Sequence, residues 1–295
     1  MVSLHNKNFG SRIFDAINIL LLTAMALVCL LPFVFVVAAS LSSPDQLVKY
    51  NFVLWPKGFT LSSYQYLLCG SHAVVNGLKV SVVMTILATA VNLVFTSLMA
   101  YPLAHSDVFG YPVIIRLVTV TLVFSGGMIP TYIVVSKLSL LNTYWSILLP
   151  TAVDAFSLII FISFFRTIPR ELEEAAKIDG YNDFQIFLKI VLPTSTPLLA
   201  TFTLMFAVMH WNEWFNYVLY INNSAMWPVQ VILRTMTDSA NSSIGNSLMV
   251  GENYTPPQDV VRYCVIVIAT VPILVVIPYL QKYFTKGMMI GSVKG

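Results

Sequence analysis

Six mostly apolar runs, each near the length needed to cross a bilayer, divide this chain: about Ala16–Ala39, Val74–Ala100, Pro112–Val135, Tyr144–Phe165, Pro197–Tyr217 and Tyr263–Leu280. A hydrocarbon core about 30 Å thick takes roughly 20 helical residues at 1.5 Å each. Inside it every backbone N–H and C=O must find a partner in the chain, so such a run is expected as a helix. The second and third runs carry internal polar residues, which leaves their ends less sharply drawn. Composition agrees: 57% of residues are hydrophobic and 10% charged, against about 25% charged in a soluble domain. The first run is too long for a signal-peptide core and has no small-residue cleavage site close behind it, so it reads as a retained span. The expectation is an all-α membrane protein of six transmembrane helices, a single domain over 1–295.

An even number of spans puts both termini on one side, and Lys and Arg choose it. Lys7, Arg12, Arg116, Arg166, Arg170, Lys177, Lys189, Lys282, Lys286 and Lys294 fall on one face; Lys49, Lys57, Lys79, Lys137, Arg234 and Arg262 fall on the other. The richer side is cytoplasmic by the positive-inside rule. Two segments on the opposite side, 40–73 and 222–258, are long enough to have structure of their own. The second is rich in Ser, Asn and Gly, and loops of that length tend to carry function or remain unstructured.

A short charged island interrupts the apolar pattern on the inner side. Pro169 suits a helix start, and Glu171, Glu173 and Glu174 favour its positive end. Leu172, Ala175 and Ala176 share one face whose later members are small. Gly180 supplies a left-handed helix stop. A second helix is predicted from Asp183, with Phe184, Phe187, Leu188 and Val191 on one face, stopping before Pro193. The result is a helix–glycine–helix elbow (167–193) with an alanine face that another backbone can approach. Taken alone, Glu-Ala-Ala also suits an ordinary amphipathic loop.

The whole pattern, Glu174-Ala175-Ala176, then Asp179-Gly180, Phe187, Ile190, Pro193 and Pro197, resembles the EAA loop of ABC-importer permeases over about two dozen positions. Tyr181 departs from it, standing where that family usually has Ala. The resemblance implies a type I ABC importer permease fold. In such permeases the elbow is a cytoplasmic coupling helix docked on an ATPase, with Glu174, Ala175, Ala176, Asp179 and Gly180 at the contact. The ending Lys282–Gly295 looks like that of the maltose-type carbohydrate branch, which implies a second ATPase contact through Lys286, Gly287 and Gly291. Ser125-Gly126-Gly127-Met128-Ile129-Pro130 breaks the third run and resembles a feature of permeases for complex oligosaccharides. Implied partners are a second permease, two ATPase subunits carrying ATP and Mg, and an extracytoplasmic solute-binding protein. The implied location is a bacterial cytoplasmic (inner) membrane.

Polar residues within the spans are candidates for the substrate path. Asp154 falls near the middle of the fourth run, where an ionisable group costs about 2.5–3.5 kcal/mol and needs a cavity or a partner. Neighbouring Ser or Thr hydroxyls would satisfy it equally well. Asn92 stands with Thr96 and Ser97, whose hydroxyls commonly bond back to their own helix. Trp211, Glu213, Asn216 and Tyr217 belong to an aromatic–polar cluster that begins at His210. Such a cluster suits sugar contact and equally an interfacial belt, although a belt leaves Glu213 and Asn216 unexplained. If the cargo is acidic, an alginate or pectin fragment for example, Lys79, Arg116 and His210 are the cations available to meet it.

No phosphate-loop motif, paired metal-ligand motif or nucleophile–base set occurs, and the three cysteines have no metal or disulfide spacing. No catalysis, metal or cofactor is expected in this chain, and the net charge of +3 gives no case for nucleic acid. The favoured reading is a permease subunit for an oligosaccharide importer. A permease for another solute, or an ATP-independent transporter with paired broken helices, are the alternatives. The second leaves the elbow without a role.

Overall fold

The computed structural model describes residues 9–50, 52–70, 72–238 and 258–291, and every regular element among them is helical. In order, these are α1 (Phe9–Ser40), α2 (His72–Ala104), α3 (Tyr111–Val123), α4 (Met128–Lys137), α5 (Ala155–Phe165), α6 (Arg170–Ile178), α7 (Asp183–Thr194), α8 (Thr196–Trp211), α9 (Phe215–Tyr220), α10 (Val229–Asp238) and α11 (Gln258–Gly291). Short turns at Pro44–Lys49, Ser62–Gln65 and Trp145–Leu148 link them. Most of the expected 222–258 loop lies outside the described residues, as do the last four residues of the tail.

Among the described residues, two helices are long and apolar enough to cross a membrane unaided, Ile13–Ser40 and His72–Ala104. The sixth run lies within the unbroken α11, whereas the third, fourth and fifth are interrupted, and each interruption has a local chemical setting. The third run breaks between α3 and α4 at the expected Ser125–Gly127 string, where the Gly127 amide bonds the Ser125 hydroxyl. In the fourth run the helix at Trp145–Leu148 stops just before Pro150 and resumes only at Ala155. Leu149 still holds helical angles, and Pro150 then removes the donor that the next turn would need. Asp154 therefore corrects the sequence reading: it is the extended N-cap residue of α5 and is exposed, not mid-helix. The fifth run breaks between α8 and α9, where the Glu213 carboxylate accepts the Asn216 amide.

One predicted stop also moves. The helix from Asp183 continues through Pro193 to Thr194 because residues Phe187–Val191 widen into a π turn, which relieves the clash a proline ring makes with the turn before it. The chain then bends by 80° into α8, with Pro197 in that helix's first turn.

The described chain divides into two compact units. The first, residues 1–72 with 236–268, is pinned around the end of α1. Ser40 accepts from the Tyr64 hydroxyl at 2.8 Å, and its carbonyl lies 3.3 Å from the Cys264 thiol. Ser42 accepts the Lys57 amide, while Ala38, Ala39 and Val53 pack with Phe35, Leu47 and Tyr263. Burial beside Cys264 raises the Tyr64 phenol above its ordinary pKa.

The second unit, residues 73–235 with 269–295, has two apolar centres along α2. At its end Ala100, Leu103 and Ala104 meet Phe161 and Phe165 of α5, Ala176 of α6, Ile186 and Phe187 of α7, and Phe202 of α8. Nearer its start Val80, Met84 and Ala88 meet Val135, Ile147, Tyr217, Tyr220 and Val231. There α10 approaches α2 closely: Ser81 accepts the Val229 amide, and a Cβ built on Gly77 would stand 2.4 Å from Ile232 Cδ1 and 3.3 Å from the Val229 nitrogen. Gly77→Leu is therefore expected to lower stability by about 1–3 kcal/mol through overpacking, read as a fall in melting temperature in detergent. Ile232→Ala in the same chain should recover part of the loss; no recovery would place the clash elsewhere.

Candidate functional site

The elbow is built by its own caps. α6 starts after Pro169, carries Glu171 and Glu173 in its first turn, and ends at Asp179. Gly180 has φ +85°; its amide bonds the Lys177 carbonyl, and the Tyr181 amide bonds the Ala176 carbonyl at 3.0 Å. These are the paired bonds of a Schellman stop, which requires a left-handed residue at this position. No atom lies within 4 Å of a Cβ built on Gly180, so conformation and not space demands glycine there. Asn182 then starts α7 with a reciprocal capping box to Gln185, a signal legible in the Asn-x-x-Gln spacing. Lys177 reaches Asp183 across the turn at 3.1 Å, and that bond holds its ammonium above the ordinary lysine pKa. Both groups are exposed, so the pair contributes little to stability.

The expected alanine face is split. Ala176 is 4% exposed and packs inward, whereas Leu172, Glu174, Ala175, Asp179 and Gly180 are exposed. With Ile178, Phe184 and Leu188 also exposed, the outer surface of the elbow is apolar at its centre and acidic at its start. A solvated loop has no need of such a surface, whereas a partner protein would cover it.

Glu173, which sequence reading placed only in the first turn, contacts His105 at 2.9 Å. Arg166, counted only as an inner charge, donates to the carbonyls of Leu103 and Ala104 at the end of α2 and to the Tyr111 hydroxyl. Neither contact has a local sequence signal, since the partners lie 55 to 68 residues apart.

The candidate path residues fall into a different setting. Asn92 is 1% exposed; its amide donates to the Thr151 and Ala152 carbonyls, and its oxygen meets His210 Nε2. The break in the fourth run thus receives its missing donor from α2. His210 is spent in this contact and is 8% exposed, which removes it from the cations available to cargo. Ser97 bonds back to Leu93 as expected, whereas the buried Thr96 hydroxyl has no partner among the described residues. Asp154 accepts from the Ser157 amide and hydroxyl, both at 2.8 Å, the satisfied alternative weighed from sequence. Trp211 is buried and donates its indole N–H to the Ala269 carbonyl, and Tyr217 is buried too. Glu213 and Asn216 remain partly open, as does Trp214. Gly287 and Gly291 lie on the backbone of α11, and the side chain of Lys286 lies outside the described residues.

Removing the Asn92 amide leaves two carbonyls and one imidazole short of a partner, a loss of about 1–3 kcal/mol per stranded group. Asn92→Ala should therefore melt well below the wild type, while Ser97→Ala, which breaks only a back-bond, should melt within a degree or two of it. Equal melting of the two would contradict the seam described for Asn92.

No family model matches the chain. It is 46% identical to Protein LplC of Bacillus subtilis over 99% of this chain and 98% of that one. It is 45% identical to the polygalacturonan/rhamnogalacturonan transport system permease protein YtcP of the same organism, over 97% and 99%. Among solved structures it resembles a bacterial ABC transporter involved in the import of the acidic polysaccharide alginate, with a TM-score of 0.85 and 29% identity, covering 94% of this chain and 98% of that one. With these likenesses running nearly end to end, the chain belongs to the permease subunits of ABC-type carbohydrate importers.

Proposed function

We propose that this chain forms half of the translocation pathway of an ATP-driven, binding-protein-dependent importer of acidic oligosaccharides, and that its elbow couples the pathway to an ATPase. The whole chain acts as one permease module with six membrane crossings and both termini on the cytoplasmic side. Its partners are a second permease, two ATPase subunits that bind ATP and Mg, and an external binding protein that docks near the 40–73 and 222–258 segments. The observation that carries the coupling is the glycine-stopped elbow. Its buried Ala176 anchors it to the ends of α2 and α5, while Ala175 and Leu172 stay open for a partner. The tail around Lys286, Gly287 and Gly291 provides a second contact with the ATPase.

Acidic cargo is supported by the two named transport relatives, one for polygalacturonan and rhamnogalacturonan and one for alginate. Lys79 and Arg116 are exposed and remain available to carboxylates. Glu213, Asn216 and the adjacent Trp214 supply hydrogen bonds and a ring face for sugar. Asp154 contributes a carboxylate at the mouth of the broken fourth run, and Trp211, Tyr217 and Asn92 hold that wall in place.

Gly180→Asp puts a side chain on a left-handed residue, at a cost of roughly 1–2 kcal/mol, and adds charge at the docking turn. It should leave membrane insertion intact and abolish ATP-coupled uptake; undiminished uptake would contradict the coupling assignment. Asp154→Asn keeps an N-cap acceptor, so stability should hold while uptake rate or cargo preference changes. Unchanged kinetics would leave Asp154 as a cap alone. Uptake should be competed by oligogalacturonate and not by a neutral oligosaccharide of equal length, and the reverse preference would overturn the acidic assignment.

A further inference from the structure

We infer that His105 is the positioning residue through which the elbow grips the end of α2, an inference that rests on the coupling role proposed above. His105 follows the last residue of α2, and its amide bonds the Pro102 carbonyl at 3.1 Å. Its ring bridges two elements: Nδ1 lies 3.1 Å from the Tyr101 carbonyl of α2, and Nε2 lies 2.9 Å from Glu173 Oε2 of α6. Both facing atoms are oxygen acceptors, and a ring N–H directed at Glu173 donates to a carboxylate. The His105 and Glu173 side chains are 24% and 12% exposed, which places the bond in a partly dry joint.

Three features make this contact a grip and not simply one more packing interaction. The apolar contacts between α2 and the elbow, such as the Tyr101–Phe187 ring pair at 5.3 Å, are non-directional and tolerate sliding. The His105–Glu173 bond is directional and charge-assisted, so it sets the register of α6 against α2. Arg166, in the segment leading into α6, also donates to the Ala104 and Leu103 carbonyls at 3.2 and 3.3 Å, filling positions left open at a helix end. The last turn of α2 is thereby held from the elbow and from the chain entering it.

Clefts of about 370 and 360 Å³ flank the joint. Arg166, Arg170 and Tyr111 line the first; Tyr101, Asp107, Lys177 and Asp183 line the second. The elbow therefore has open space on both sides of the grip, and the bond adds a directional link to the apolar packing of Ala176, Ile186 and Phe187. α2 transmits a displacement of α6 as a rod: thirteen residues up the helix, roughly 20 Å at 1.5 Å per residue, Asn92 holds the Thr151 and Ala152 carbonyls at the broken fourth run. Motion applied at Glu173 thus reaches the polar seam without passing through α5.

The test is sugar uptake per ATP hydrolysed by the complete transporter in proteoliposomes. His105→Ala should keep ATP hydrolysis and lose roughly tenfold or more in uptake per ATP, the scale expected for a lost charge-assisted bond. His105→Gln keeps an amide donor near the Nε2 position and should recover to within about threefold of wild type. Glu173→Ala should match His105→Ala, and the double variant should be no worse than either, since they remove the same bond. Wild-type uptake per ATP in His105→Ala, equal loss in the Gln variant, or losses that multiply in the double variant would overturn the grip. Lost coupling in Gly180→Asp with none in His105→Ala refutes the grip alone; no loss in either variant refutes the coupling role as well.

Discussion

A backbone group in hydrocarbon has no water to turn to, and the rest of this structure follows from that constraint. Wherever a spanning helix is interrupted, a nearby polar side chain takes up the freed donors or acceptors. Asp154 caps the resumed α5, Glu213 receives the Asn216 amide, Asn92 crosses from α2 to the carbonyls of Thr151 and Ala152, and Arg166 covers the last carbonyls of α2. Asp154, Glu213 and Asn92 look from sequence like expensive exceptions in apolar runs, whereas Arg166 follows the fourth run as an inner charge. In the fold each satisfies a break, and the breaks open α-helical spans to polar chemistry. A permease needs polar surface inside a membrane, and broken helices sealed by their own side chains provide it.

The elbow meets a different requirement. For the coupling role proposed for it, it must be stiff enough to carry force and must present a surface to another protein. Stiffness comes from its terminations: the Schellman stop at Gly180 and the capping box at Asn182 fix the angle between α6 and α7 with backbone bonds. The surface comes from splitting the alanine pair, Ala176 turned in and Ala175 turned out. The π turn in α7 lets the chain carry Pro193 and still reach the 80° bend into α8, so that bend lies close to the elbow.

Much of this was legible in the chain. Apolar runs gave the helical class, and the elbow's glycine stop was readable because glycine acts locally, whereas the Asn182 cap went unread and the stop expected before Pro193 moved to Thr194. Gly180 is left-handed as its position required, and Ser125–Gly127 interrupts the third run as expected. What stayed hidden depends on distant partners. Nothing in the apolar pattern around Asp154 shows that the fourth run breaks just before it, so it is a helix cap where an unbroken helix was expected. His105, Arg166 and His210 each bond residues 55 or more positions away, so their roles are properties of the fold. The sugar-facing reading of Trp211 and Tyr217 rested on residue type. Both side chains are buried within the chain, while Glu213 and Asn216 stay partly open.

The central claim is that the elbow's outer face, and not its packed face, receives the ATPase. The most direct measurement is site-directed cross-linking in the assembled transporter, in a chain freed of Cys29, Cys69 and Cys264, with a short thiol-reactive cross-linker. A cysteine at Ala175, which is exposed, should join to the ATPase subunit, and a cysteine at Ala176, which is 4% exposed, should not. Cross-linking at Ala176 with none at Ala175, or at neither position in a transporter that imports sugar, would contradict the account.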